Sequence, residues 1–171
     1  LGFSLDLETP GFVSTCAQLI FFLLAEDFSH YWIHRWLHTE WAYRNIHYLH
    51  HEFTAPSSLS ASYAHPLEII AEGIGTFSGP LLIRPHFLVL FLWVNLRQAS
   101  ALETHSGYDF PISPNNIFSF IGGADLHDFH HRTYNGAYAS NFIWWDRLFG
   151  TADSYFASKE KQRKKLLQKQ Q

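Results

Sequence analysis

The amino-acid sequence predicts an all-α fold embedded in a membrane, and three observations carry that expectation. Apolar runs recur over residues 11–25, broken only by Ser, Thr and Gln, and over residues 67–96, with Gly73, Gly75 and Gly79-Pro80 as breaks. Charged residues make up 16% of the chain, against roughly 25% in ordinary soluble domains, while aromatics reach 18%. Histidines recur three and four residues apart, the spacing that places side chains on one face of a helix.

A length of 171 residues suits one domain with a sizeable core, expected over residues 1–156, followed by a polar, basic tail over 157–171. The formal net charge of -3 gives no reason to expect nucleic acid as a partner. Cys16 is the single cysteine, which rules out an intrachain disulfide and any site built from several thiolates. No basic segment with a small-residue cleavage site opens the chain, so no signal peptide is expected. Leu1 in place of Met points to a piece of a longer protein.

Residues 1–10 read as irregular and close at Pro10. The run GFVSTCAQLIFFLLA over 11–25 falls short of the about 20 residues a spanning helix needs. Extended into the next segment it reaches that length, with Trp32, Trp36 and Trp41 placed where an interfacial aromatic belt forms; a buried core helix is the alternative. Glu26 and Asp27 follow, then His30, His34 and His38 at four-residue steps. Asp27, two turns before His34, is expected either to accept the second N–H of an imidazole or to pair with Arg35 or Arg44. Residues 42–53 read as a second helix carrying His47, His50 and His51, ended by Thr54-Ala55-Pro56-Ser57-Ser58. Pro66 suits the first turn of a new helix. Residues 67–96 form two apolar segments around a turn holding Arg84 and His86, either a hairpin dipping into a bilayer or part of a soluble core. His65 and His86 stand alone and read as structural. Residues 97–110 are more polar, Pro111 and Pro114 mark a loop, and a third helical turn carries His127, His130 and His131. The aromatic run 142–145 follows, and residues 146–151 close the folded part.

His34, His38, His47, His50, His51, His127, His130 and His131 supply eight imidazoles from three short segments, each stacked along a helical turn. One ion rarely takes more than six ligands, so eight suggest two ions. Neutral imidazole suits iron, zinc and copper. No thiolate set supports structural zinc, and no Glu follows the first histidine of a cluster as in zinc proteases. Soluble di-iron bundles use Glu-x-x-His motifs, which are missing. Two irons in a nearly all-nitrogen shell can activate oxygen against an unactivated C–H bond, and the apolar surroundings suit a lipid-like substrate.

The words AEDFSHYWIHRWLH, NIHYLHHEFTAPSSLSASYAHPLE, LETHSGYDFP, GGADLHDFHH and GAYASNFIWWDRLFGTADSYF resemble the fatty acid hydroxylase/sterol desaturase superfamily, and within it the 4-methylsterol monooxygenases. The resemblance covers roughly residues 24–156. It implies a helical membrane domain with its di-iron centre at the cytosolic side of the endoplasmic reticulum membrane. It also implies successive oxidations of a sterol 4α-methyl group, using O2 and electrons from NAD(P)H through cytochrome b5 and its reductase. The eight box histidines are the implied metal ligands, and His105 of HSGYDFP the ninth. A sterol desaturase, a fatty acyl hydroxylase and a non-catalytic sterol-binding relative are the alternatives. Two departures stand out: Ser100 occupies a position where the family commonly has Glu, and the family's N-terminal spanning helices are absent or truncated.

Overall fold

In the computed structural model, which describes residues 8–170, the first apolar run and the first histidine pair share one uninterrupted helix, α1 (Phe12–Leu37). The irregular stretch expected over residues 1–7 lies outside the described residues. The 26 residues of α1 reach ~39 Å at 1.5 Å per residue. Phe22, Glu26, Asp27, Tyr31, His34 and Leu37 form its buried stripe. Phe12, Val13, Ile20, Leu24 and Phe28 face outward. Among the described residues, α1 is the one helix long and apolar enough to cross a membrane.

The single helix expected over residues 42–53 is divided in two. A short α2 (Glu40–Asn45) ends at Ile46, and a 3₁₀ turn, His47–Glu52, carries the second cluster. In 3₁₀ winding the side chains at i and i+3 eclipse, so the rings of His47 and His50 stack with centroids 5.5 Å apart. This tighter turn lets both rings reach partners outside their own helix, described below.

Beyond a second 3₁₀ turn (Ser58–Ser62), the apolar hairpin forms as α3 (Pro66–Ile83) and α4 (Phe87–Thr104). His65 and His86 begin these helices, their Nδ1 atoms accepting the amides of Leu67 at 3.2 Å and Leu88 at 3.1 Å. Both satisfy backbone N–H groups that an α-helix leaves open at its start, in keeping with their structural reading. α4 continues to Thr104 although the sequence turns polar after residue 96, because Arg97 points inward onto Glu26 at 2.7 Å. α3 lies against α1 at Gly79, where a Cβ would come 2.9 Å from the Phe22 backbone. Any larger residue would push the helices apart. Phe22, Val89 and Trp93 form the core between α1 and α4, and Trp93 Nε1 donates to the Thr76 carbonyl at 2.9 Å.

The remaining helices are α5 (Pro114–Ile117), α6 (Ala124–Thr133), α7 (Trp144–Phe149) and α8 (Asp153–Lys169). An isolated bridge joins Ile121 to Phe142, and the described residues form no strand. Leu126, Ala137 and Ile143 make a second core, against which Tyr155 and Phe156 dock the start of α8. The fold is all-α, as the spacing of the sequence predicts.

Candidate metal centre

Four elements bring nine histidines together. His34 lies in the last turn of α1 and His38 caps it; the 3₁₀ turn adds His47, His50 and His51; His105 caps α4; α6 adds His127, His130 and His131. They sort into two groups. His34, His38, His47, His51 and His130 form one, and His50, His105, His127 and His131 the other, with the ligand atoms in each group within 4.8 Å of one another. The clusters therefore do not stack as units, as the spacing alone suggests. In each HxxHH word the first and last histidines, four apart, stay together, and the middle one crosses to the other group.

The protons on these rings can be placed by accounting for hydrogen bonds. Nδ1 of His34, His50, His105, His130 and His131 meets the carbonyl oxygen of Tyr138, Tyr63, Ala101, Gly136 and Phe53 respectively, at 2.7–3.2 Å. A carbonyl only accepts, so each Nδ1 carries the proton and each Nε2 presents a bare lone pair. His47 Nδ1 meets a carboxyl oxygen of Glu68 at 2.8 Å, and burial pushes that carboxyl up to about 9, so the pair shares a proton between them. The Nε2 atoms nonetheless crowd together. His47 lies 3.0 Å from His38, His38 lies 3.1 Å from His130, and His50 lies 3.3 Å from His105. The lone pairs of His50 and His105 face one another and repel, and His38, with at most one proton on Nε2, can satisfy only one of its two neighbours; a cation between the nitrogens removes the conflict. Metal–nitrogen bonds of about 2.1 Å at right angles would put neighbouring nitrogens ~3.0 Å apart, which matches these contacts. The donor set fits metal ions, with imidazole as its only ligand type.

Burial keeps these rings neutral. It lowers His38 and His105 to about 4 and His131 to about 3, from an ordinary 6.5, and pushes His127 and His130 well below it. The sign for stability follows from linkage. Above pH 6.5 both the folded and the unfolded chain leave the rings neutral. Between 6.5 and about 4 the unfolded chain takes up protons that the folded chain refuses, so stability falls on acidification. Protons also compete with metal for Nε2. A pH series of thermal unfolding and of metal retained after dialysis should show both quantities declining together below pH 6.5; a flat response across that window would contradict the burial.

The acidic residues act one step away from the histidines. Asp27 neither holds an imidazole nor pairs with Arg35 or Arg44, the two roles the sequence suggests. Its Oδ1 accepts the amides of Asn141 and Phe142 at 3.0 and 2.9 Å, and its Oδ2 the indoles of Trp144 and Trp145 at 3.1 and 2.9 Å. The reason is geometric: Asp27 lies two turns below His34, level with the returning segment 141–145. Arg44 pairs with Glu40, and Arg35 sits over the Trp32 and Phe149 rings. The imidazole-holding carboxylate is Glu68, buried in the first turn of α3. The two acids Glu68 and Glu72 inside the otherwise apolar run PLEIIAEGIG were the available signal. Glu72, one turn later, takes His30 Nδ1 at 2.6 Å, and His30 joins neither group. Glu68→Gln should lower metal affinity about 10- to 100-fold with little change in fold, read by competition with a chelator; an unchanged affinity would leave Glu68 no role in orienting His47.

Asp146 holds the loop whose carbonyls grip the rings of His34 and His130. It accepts the amides of Tyr138 and Ala139 at 2.9 and 3.0 Å and the Thr151 hydroxyl at 2.6 Å. Gly136, at φ +81, passes so close to the Thr151 carbonyl that a side chain would collide with it, and its own carbonyl receives His130. A cavity of about 370 Å³ between α1, α3 and α4 opens onto both groups, with His34, His47, His50, His105 and His127 in its wall. Ile69, Phe77 and Val94 supply apolar surface opposite.

A family profile described as fatty acid hydroxylase matches residues 19–151. Among curated relatives, the very-long-chain aldehyde decarbonylase GL1-8 of Oryza sativa subsp. indica is 44% identical over 173 residues, covering 98% of this chain and 65% of its own length. GL1-11 of Oryza sativa subsp. japonica, another very-long-chain aldehyde decarbonylase, is 45% identical, covering 91% of this chain and 59% of its own. Methylsterol monooxygenase 2-2 of Arabidopsis thaliana is 43% identical, with the same two coverages of 91% and 59%. The chain thus spans about three fifths of the length of these relatives. No solved structure matches it.

Proposed function

The chain belongs to the fatty acid hydroxylase family, and from that membership we propose that it is an iron- and oxygen-dependent monooxygenase oxidising the 4α-methyl group of sterol precursors. The observation that carries this reading is the pair of bare-nitrogen groups beside an apolar cavity. His34, His38, His47, His51 and His130 would hold one iron, and His50, His105, His127 and His131 the other. When bound, two irons supply the oxygen activation that attack on a saturated C–H bond requires. The chain's own residues set the conditions for it. Backbone carbonyls and Glu68 hold six of the nine rings by Nδ1 with Nε2 inward, and Ile69, Phe77 and Val94 offer a lipid apolar surface in the cavity wall. Electrons are proposed to come from NAD(P)H through cytochrome b5 and its reductase. The outward apolar face of α1 and the basic α8 support an endoplasmic reticulum membrane location, with the metals on the cytosolic side.

The identities of 44–45% to proteins named very-long-chain aldehyde decarbonylases favour a second reading on the same centre, with a long-chain aldehyde as substrate. Detergent-purified protein should carry about two irons per chain, the count two all-imidazole groups imply. It should convert 4,4-dimethylsterols in preference to very-long-chain aldehydes, fatty acyl lipids or substrates for sterol desaturation. Full activity in iron-free protein would remove the oxygenase reading, and exclusive turnover of aldehydes would move the assignment to the second.

A further inference from the structure

A second cavity, also about 370 Å³, lies across α4 from the first. The two share Arg97, Ser100, Thr104 and Ser140 as a common wall. Arg97, Ser100 and Thr104 fall at i, i+3 and i+7 on α4, a single stripe of its surface. Arg97 is clamped, donating to Glu26 at 2.7 Å and to Ser140 at 3.0 Å, so its guanidinium is a fixed edge of the partition. Ser100 is the smallest side chain of the stripe. The far chamber is apolar along Leu19, Leu23, Trp93 and Phe142. Its rim includes Ile20 and Leu96, 60% and 49% exposed on the outward faces of α1 and α4. It therefore opens onto the same aliphatic surface that a lipid would approach.

We propose that the two cavities are chambers of one lipid channel crossing the Arg97–Ser100–Thr104 stripe, and that the size of residue 100 selects the lipids that pass. A mostly apolar lipid enters from the groove between α1 and α4, and its hydrocarbon body stays in the far chamber while its reacting end lies beside the histidines. The assignment of that reacting end rests on the oxygenase reading; the continuity of the channel does not. At about 370 Å³ the inner chamber is at the small end of the range of ligand pockets, tight for a whole flat-ringed lipid. A small residue at the partition lets the remainder occupy the far side.

The test is photolabelling of the full chain in detergent, metal-free and metal-loaded, with a diazirine-bearing sterol and separately a diazirine-bearing long-chain aldehyde. Labelled peptides are then mapped. The unaltered protein should be labelled both around residues 19–23 and 93–96 and around residues 69–77. Ser100→Phe should reduce the inner labelling by about tenfold while the outer labelling persists, because a ring at the partition clashes with the lipid; Ser100→Ala should change neither. Equal metal content in the variants checks their folding, and should Ser100→Phe lose metal, Thr104→Phe places the block one turn along the stripe. Inner labelling that survives both blocks, or outer labelling that never appears, overturns the channel. Labelling is read without turnover, so it stands apart from the oxygenase reading. Passage of the aldehyde alone would uphold the channel and overturn the sterol assignment.

Discussion

His130→Ala and His131→Ala should each reduce turnover by at least about 100-fold, more than the loss of a residue that merely supports a ligand, with helical content nearly unchanged. Both side chains are fully buried, and each commits both ring nitrogens. His130 donates from Nδ1 to Gly136 at 2.7 Å and places Nε2 3.1 Å from that of His38. His131 donates to Phe53 at 3.1 Å and places Nε2 3.0 Å from that of His127. The adjacent residues belong to different groups, so each substitution should cost one ion and bring metal from about two per chain to about one. The orphaned carbonyl adds a structural penalty of about 1–3 kcal/mol, too small to unfold an ordinary domain. Metal analysis, circular dichroism and turnover on the same preparations decide the matter. A variant that keeps both ions and full activity would remove its histidine from the centre, and a loss of helix preceding the loss of metal would make the residue structural.

Asp27→Ala carries the largest expected stability loss outside the histidines. The carboxylate satisfies two backbone amides and two indole N–H groups arriving from residues 141–145. Removing it leaves four donors without an acceptor, at about 1–3 kcal/mol each if they stay dry; relaxation would bring the total to the order of 4 kcal/mol. Asp27→Asn should recover only part of this, because its NH₂ must face donors on one side. Thermal unfolding and the near-ultraviolet tryptophan signal report the change. A midpoint shifted by less than about 2 °C would mean that the segment is held by its apolar contacts alone.

The histidine words were legible because metal chemistry demands a particular side chain at short, regular intervals, and both are visible in a one-dimensional string. The all-α class and the hairpin around Arg84 and His86 were legible for a related reason, since apolar runs and their interruptions are local. The sorting of His50 and His130 into opposite groups was not. It depends on the 3₁₀ winding of His47–Glu52 and on where α6 crosses it, and neither leaves a periodic trace. Asp27 was misread for the same reason. Its spacing to His34 is real, but its partners lie 114–118 residues away, and nothing local names them. Glu68 was hidden in plain view, as an acid among aliphatics whose purpose appears only once α3 lies beside the second cluster.

The unbroken course of α1 also fixes an altitude. From Phe12 to His34 the helix climbs 22 residues, ~33 Å, without a hinge. Whatever interface anchors its outward phenylalanines, the imidazoles ride at a set height above them, like the top of a mast above a deck. Lengthening the lower half of this mast by one turn would raise the histidine groups ~5 Å above that interface while leaving the distances among their nitrogens untouched.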